Sequence, residues 1–190
     1  LLGLSILSWA FLGIGMGSAA ETRPLFVQLV ISALHLSVGV LILLRAPIAQ
    51  NGSLYSCLAG LPALLVSGWA LRSAPPVWTP LAQLMFLLGG SLAVTSFLCL
   101  GRCFAILPAI RGTVTHGPFR VIRHPAYLGE LVMILSCWLA APRGPSVVPL
   151  LAAIPLVALR ILTEEQVLSN SPEYVEYSRT VRWRLVPLVW

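Results

Sequence analysis

Long apolar runs without charged side chains are the feature that most constrains this chain. A helix needs about 20 apolar residues to cross the hydrocarbon of a bilayer, and several runs approach that length. They cover residues 1–20, 25–44, 54–71, 81–100, 126–141 and 146–162. Only 9% of the 190 residues are charged, against about 25% in soluble domains. An ordinary soluble domain and a disordered chain are therefore excluded. The sequence predicts an all-α, polytopic membrane protein with about six spans.

The last two runs are short and are separated by the turn residues Arg143, Gly144 and Pro145. We therefore expect them to form a C-terminal helical hairpin. A short polar and aromatic tail, residues 163–190, follows. We divide the chain into N-terminal membrane helices, residues 1–95, and a C-terminal region, residues 96–190.

The twelve basic residues are all arginines, scattered between the apolar runs, and the six acids are all glutamates. This pattern is typical of loop charges that set topology, so no nucleic-acid partner is predicted. With six spans both termini lie on one side, together with nine arginines, and three lie on the other. The positive-inside rule then predicts a cytoplasmic site in an integral membrane protein. The nine are Arg45, Arg102, Arg111, Arg120, Arg123, Arg160, Arg179, Arg182 and Arg184.

The four cysteines form neither a CxxC pair nor a cluster with histidine. Cys99 and Cys103 are one helical turn apart, a spacing typical of helix packing. We therefore predict no metal site.

Two segments carry candidate chemistry. In the first, residues 117–129, Pro125 requires a helix to restart after His124. Arg123 and His124 would then lie beside free backbone N–H groups at the positive end of a helix. Such a site favours an anionic group such as a carboxylate; the alternative is a basic loop that contacts lipid headgroups.

The second segment contains Arg160, Glu164 and Glu165. Arg160 and Glu164 are four residues apart and share a helix face, so they can pair. Adjacent carboxylates at a membrane interface are unfavourable unless they have partners. The segment is therefore either a helix end that enters water or a site where a carboxylate binds the amine of a ligand.

Together these segments resemble the isoprenylcysteine carboxyl methyltransferase and phospholipid methyltransferase superfamily, in its bacterial form. The resemblance rests on Gly117-Pro118-Phe119, on Arg123-His124-Pro125-x-Tyr127-x-Gly129, on Glu164-Glu165 and on Tyr174-x-x-Tyr177. It covers about residues 96–190, which it identifies as the catalytic region. It implies an enzyme of the bacterial inner membrane that uses S-adenosylmethionine and binds it between the hairpin and the tail.

The resemblance also implies residue roles. His124, Pro125, Tyr127 and Gly129 would shape the cofactor pocket, and Glu165, with Glu164, would hold the charged end of the cofactor. Arg123 and Arg160 would lie near the acceptor. We count Arg123, Arg160 and Glu164 as the catalytic set.

A lipidic or isoprenoid-linked carboxylate, a lipophilic small molecule that enters from the bilayer, is the expected methyl acceptor. A phospholipid amine or a small thiol is the alternative, and either would have to lose a proton, to Glu164 or His116. A membrane sterol or isoprenoid reductase is a second class, although the tail looks small for a dinucleotide site. A non-catalytic transporter is a third, but no charged residue interrupts the runs 25–44, 54–71 and 81–100, and only His35 is a candidate polar residue there. The sequence does not indicate an oligomeric state.

Overall fold

A computed structural model describes residues 23–142 and 146–190. The described chain is mostly helical, with helices α1 (Leu25–Leu44), α2 (Leu54–Arg72), α3 (Pro80–Leu100), α4 (Pro125–Ala140), α5 (Val147–Leu168) and α6 (Pro172–Thr180). Two short strands, β1 (Gln50–Asn51) and β2 (Ala109–Ile110), and the 3₁₀ turns Gly101–Cys103 and Gly117–Arg120 lie between the helices.

Four of these helices are long and apolar enough to cross a membrane. The predicted runs 25–44, 54–71 and 81–100 coincide with α1, α2 and α3. The fourth is α5, while α4 is apolar but only 16 residues long. The predicted run 1–20 and the predicted turn 143–145 lie outside the described residues, so the count of six spans is not confirmed.

The end of α5 corrects the predicted tail. The sixth run was expected to end near Leu162, but the helix continues to Leu168. Glu164 and Glu165 are therefore helical residues, and the non-helical connection begins at Ser169. Their carboxylates accept hydrogen bonds from neighbouring elements, as described below. Because these bonds stabilise the two charges, the helix can continue through Glu164 and Glu165.

Local chemistry explains where the helices begin. The Ser53 hydroxyl accepts the N–H of Ser56 at the start of α2, and the Thr79 hydroxyl accepts that of Ala82 at the start of α3. These are N-cap contacts of the usual kind. Proline is the first residue of α3, α4 and α6, where its missing N–H costs no helical hydrogen bond.

Glycines let α3 approach its neighbours closely. A Cβ on Gly89 would lie 2.7 Å from the carbonyl oxygen of Gly129 on α4, and one on Gly90 would lie 2.3 Å from a methyl group of Val30 on α1. Gly89 and Gly90 thus permit close packing of α3 against α4 and α1. The α3–α4 contact fixes the helix that carries the motif at 117–129 against the rest of the bundle.

The loops 45–53 and 101–124 meet at one end of the bundle. There β1 and β2 pair antiparallel, with Gln50 opposite Ile110. Helices α1, α3 and α5 end on this side, and the tail folds back onto it. Among the described residues this end carries nine arginines, and the other end carries Arg23 and Arg72. The nine are Arg45, Arg102, Arg111, Arg120, Arg123, Arg160, Arg179, Arg182 and Arg184.

Candidate active site

The motif loop and the tail are joined through their backbones. The N–H of Arg123 donates to the carbonyl of Trp183 at 2.9 Å, and that of His124 donates to the carbonyl of Arg184 at 2.8 Å. Pro125 follows, so His124 is the cap residue from which α4 begins. These bonds place the tail across the start of α4.

Glu165 is the centre of the contact between loop, helix and tail. Its Oε1 accepts Nε of Arg123 at 2.8 Å, Nε2 of His124 at 3.2 Å and the hydroxyl of Tyr174 at 3.2 Å. Its Oε2 accepts Nε of Arg184 at 2.7 Å. The side chain is only 12% exposed. Both oxygens of this carboxylate are thus used by four donors of the protein itself.

Glu164, one position earlier on α5, belongs to a different set of contacts. One of its oxygens accepts the hydroxyl of Tyr127. That hydroxyl in turn accepts Nε of Arg160 at 2.9 Å, and the guanidinium lies 5.1 Å from the centre of the Tyr127 ring. Within the described residues the second Glu164 oxygen has no protein donor. The predicted pairing of Arg160 with Glu164 is therefore made through Tyr127.

The two arginines of the site are held by backbone carbonyls. Besides its bond to Glu165, Arg123 donates to the carbonyls of Ser178 at 3.3 Å and Val181 at 3.2 Å. Arg160 donates to the carbonyls of Gly60 at 3.4 Å and Ile106 at 2.9 Å. Each guanidinium has five N–H groups in a fixed fork, and each arginine uses three of them on Glu165, on Tyr127 or on backbone carbonyls. The arginines act mainly on the protein's own chain.

Two tyrosines of α6 close the site on the tail side. The hydroxyl of Tyr177 donates to the carbonyl of Phe119 at 2.7 Å, and burial raises the pKa of Tyr177 to about 12. Burial, and secondly the negative charge of Glu165, raises the pKa of Tyr174 above its usual value. Both hydroxyls therefore stay protonated and remain hydrogen-bond donors at neutral pH.

A cavity of about 550 Å³ lies between the loop, the tail and the helices. Of the predicted site residues, six line it: Arg123, His124, Pro125, Tyr127, Arg160 and Glu164. The other two do not. Gly129 is packed against Gly89 and Ala93 of α3, and Glu165 faces the tail instead.

The cavity also reaches into the bundle, beyond the predicted site. There it is lined by apolar residues such as Leu64 and Phe97, and by three polar side chains, His35, Ser67 and Glu130. The Ser67 hydroxyl donates to one oxygen of Glu130. A single acid within an otherwise apolar run was the available sequence signal for Glu130. Arg184 and Ser67, in contrast, carried no signal in their local sequence.

Comparison with known proteins gives one family match. The model of a family described as phospholipid methyltransferase matches residues 77–174, just over half of the chain. The matched segment includes α3, the motif loop, the hairpin and the first part of α6. No curated protein sequence matches the chain.

Proposed function

The chain belongs to the phospholipid methyltransferase family, and from this premise we propose that it transfers a methyl group from S-adenosylmethionine to a lipidic acceptor. Family membership and the apolar helices make it an integral membrane methyltransferase that acts on lipids. The cofactor, the chemistry of the acceptor and the role of each residue are the proposal. The observation that carries it is a cavity that joins the motif residues to an apolar space among the helices.

The residues of the cavity fit S-adenosylmethionine. The volume of about 550 Å³ lies within the range of ordinary ligand pockets. Among the described residues one oxygen of Glu164 has no protein donor, and it would bind the positively charged amine. His124, Pro125 and Tyr127 would form a wall for the less polar parts. When bound, the cofactor supplies an electrophilic methyl group on a sulfonium. The site as a whole would keep water away and align the acceptor with that methyl group, which is what a one-step displacement needs.

We assign Glu165 an indirect role in this site. Its four protein donors leave it no free oxygen, and it does not line the cavity. It would hold Arg123 and the tail in the position that closes the pocket. The sequence predicted that Glu165 itself binds the cofactor. We propose instead that Glu165 supports the cofactor pocket indirectly and that Glu164 contacts the cofactor.

The acceptor was expected to be a carboxylate, oriented by Arg123 and Arg160. Both guanidinium groups instead donate to Glu165, to Tyr127 or to backbone carbonyls. Glu164 and Glu130 each line the cavity with a carboxylate of which one oxygen has no donor among the described residues, whereas most N–H groups of the two arginines are used by the protein. This observation favours the alternative acceptor, a lipid amine, because an ammonium group is attracted by acids and repelled by arginines.

The concentration of arginines at the site end supports a cytoplasmic orientation of the site. A lipid acceptor would then come from the inner leaflet. The family match favours methyl transfer over the reductase and the transporter.

Calorimetry on the purified protein in detergent tests the proposal. We expect S-adenosylhomocysteine to bind, and Glu164→Gln to weaken binding about tenfold or more, because a charge-assisted contact is lost. Glu173→Gln, on the exposed face of α6, is the matched control and should bind normally. Binding of NADPH but not of S-adenosylhomocysteine would refute the proposal in favour of a reductase.

A further inference from the structure

Glu130 is an acid that neither the motif nor the cofactor site explains. It lies on α4 three residues after Tyr127, hence on the same helix face and about 4.5 Å further along the axis, away from the loop. Its side chain lines the deeper part of the cavity. A carboxylate among apolar membrane helices is costly and usually marks a functional site. Packing alone therefore does not explain a carboxylate at this position.

The surroundings of Glu130 hold the carboxylate without neutralising it. One oxygen accepts the hydroxyl of Ser67 from α2, and the other has no protein donor among the described residues. Arg160 of α5 interacts with Glu130 through space, but three of its N–H groups donate to Tyr127, Gly60 and Ile106. The open oxygen therefore remains available to a ligand inside the cavity.

We infer that Glu130 is a catalytic residue on the acceptor side of the cavity, where it binds the ammonium group of the acceptor and removes a proton from it. This role rests on the proposed function and adds the base that an amine acceptor needs. The Glu130 carboxylate takes one proton from nitrogen and becomes a neutral acid. The freed lone pair then forms the new C–N bond while the methyl–sulfur bond breaks and its electron pair stays on sulfur. The methylated nitrogen carries the positive charge.

Geometry places Glu130 suitably for this task. Tyr127, Arg160 and Glu164 form the layer next to the loop, and Glu130 with Ser67 forms the next layer toward the bundle interior. An acceptor that arrives from the bilayer would meet Glu130 before the layer assigned to the cofactor. The other titratable groups that line this cavity come from every element around it: His35 on α1, Cys103, Arg123 and His124 on the loop, Tyr127 on α4, Arg160 and Glu164 on α5, and Tyr174 and Tyr177 on α6.

The experiment compares Glu130→Gln with the native protein and with Glu173→Gln. Turnover is measured as transfer of labelled methyl to phosphatidylethanolamine in mixed micelles, and S-adenosylhomocysteine binding is measured by calorimetry. Because a positioned base contributes about 10²–10⁴-fold, we expect Glu130→Gln to lose at least about 100-fold in turnover. Its affinity for S-adenosylhomocysteine should stay within about threefold of the native value.

A pH series separates a base from a merely structural residue. The free amine becomes more abundant as pH rises from 7 to 10, so the deficit of Glu130→Gln should shrink over that range. A constant deficit, a near-native rate or an equal loss of cofactor binding would each overturn the role. Ser67→Ala keeps the carboxylate and should lose less than tenfold. If the native protein itself failed to bind S-adenosylhomocysteine, the proposed function would fall, and this role with it.

Discussion

Replacing Glu165 by glutamine tests the central contact of the site. The substitution keeps the size of the side chain but removes the negative charge that Arg123 and Arg184 share. It also places an NH₂ group, which is a hydrogen-bond donor, where a carboxylate oxygen now accepts a hydrogen bond. At least one of the two arginines must then lose its bond, and the tail is held less firmly against α5.

The size of the effect follows from burial. A hydrogen bond to a charged group contributes about 1.5–3 kcal/mol, and breaking a buried ion pair costs about 3–5 kcal/mol. Arg123 is 9% exposed and is close to the buried case, whereas Arg184 is 34% exposed and water can replace much of its bond. We therefore expect a loss of about 2–4 kcal/mol in docking of the tail, or roughly 30- to 1,000-fold in that equilibrium.

Binding and proteolysis measure this loss together. Only protein with a docked tail binds the cofactor, so the measured affinity falls in proportion to the docked fraction. If docking of the native tail is strongly favourable, much of the variant stays docked, and only part of the lost docking free energy appears as weaker binding. We expect Glu165→Gln to weaken S-adenosylhomocysteine binding at least about tenfold and to make residues 169–190 more sensitive to protease. Glu164→Gln should weaken binding without the change in proteolysis, and Glu173→Gln should change neither.

Near-native affinity and native protease resistance in Glu165→Gln would refute this reasoning. They would show that the tail stays closed without the shared carboxylate. Weak binding with native protease resistance would instead point to direct contact between Glu165 and the cofactor.

Three further predictions concern the motif loop, the packing and the orientation. Arg123→Ala should abolish turnover while the protein still inserts, because the guanidinium links α5 to the carbonyls of Ser178 and Val181. An unchanged rate would support the alternative that this loop only contacts lipid headgroups. Gly129→Val should lower Tm by several degrees, because its Cβ would meet the Gly89 carbonyl oxygen at 2.5 Å; an unchanged Tm would contradict the close α3–α4 approach. Reporter fusions at positions 50, 115 and 190 should read as cytoplasmic and one at 75 as external, and an external signal at 115 would reverse the orientation.

The spans were predictable because apolar length and helix-start residues act locally. The predicted runs 25–44, 54–71 and 81–100 match helices within about one residue. Their boundaries coincide with Pro24, Ser53 and Thr79-Pro80, which are local signals for a helix start. The end of α5 was predicted too early, because the polar residues Thr163, Glu164 and Glu165 look like a helix exit. The partners of Glu164 and Glu165 come from distant segments, which a local pattern does not contain.

The location of the site could be predicted from the sequence. Which of its residues face the cavity and which pack against other helices could not. The motif at 117–129 and the glutamate pair were expected to share one face, and the Arg123–Glu165 contact confirms it. Gly129 looked like a cofactor residue, yet its neighbours are backbone atoms of α3. Sequence position does not say whether a glycine serves a ligand or another helix. Only the packed structure shows which backbone comes close.

The two adjacent glutamates, Glu164 and Glu165, have different roles because their side chains leave the helix in different directions. Neighbouring residues on a helix point about 100° apart, so the side chains of Glu164 and Glu165 cannot serve the same space. Glu165 points to the tail and gives all its acceptor capacity to the protein. Glu164 points to the cavity and keeps one oxygen free. A pair of acids that would repel in isolation is thus stable here, because one neutralises the arginines that bind the tail and the other is left for the positive charge of the ligand.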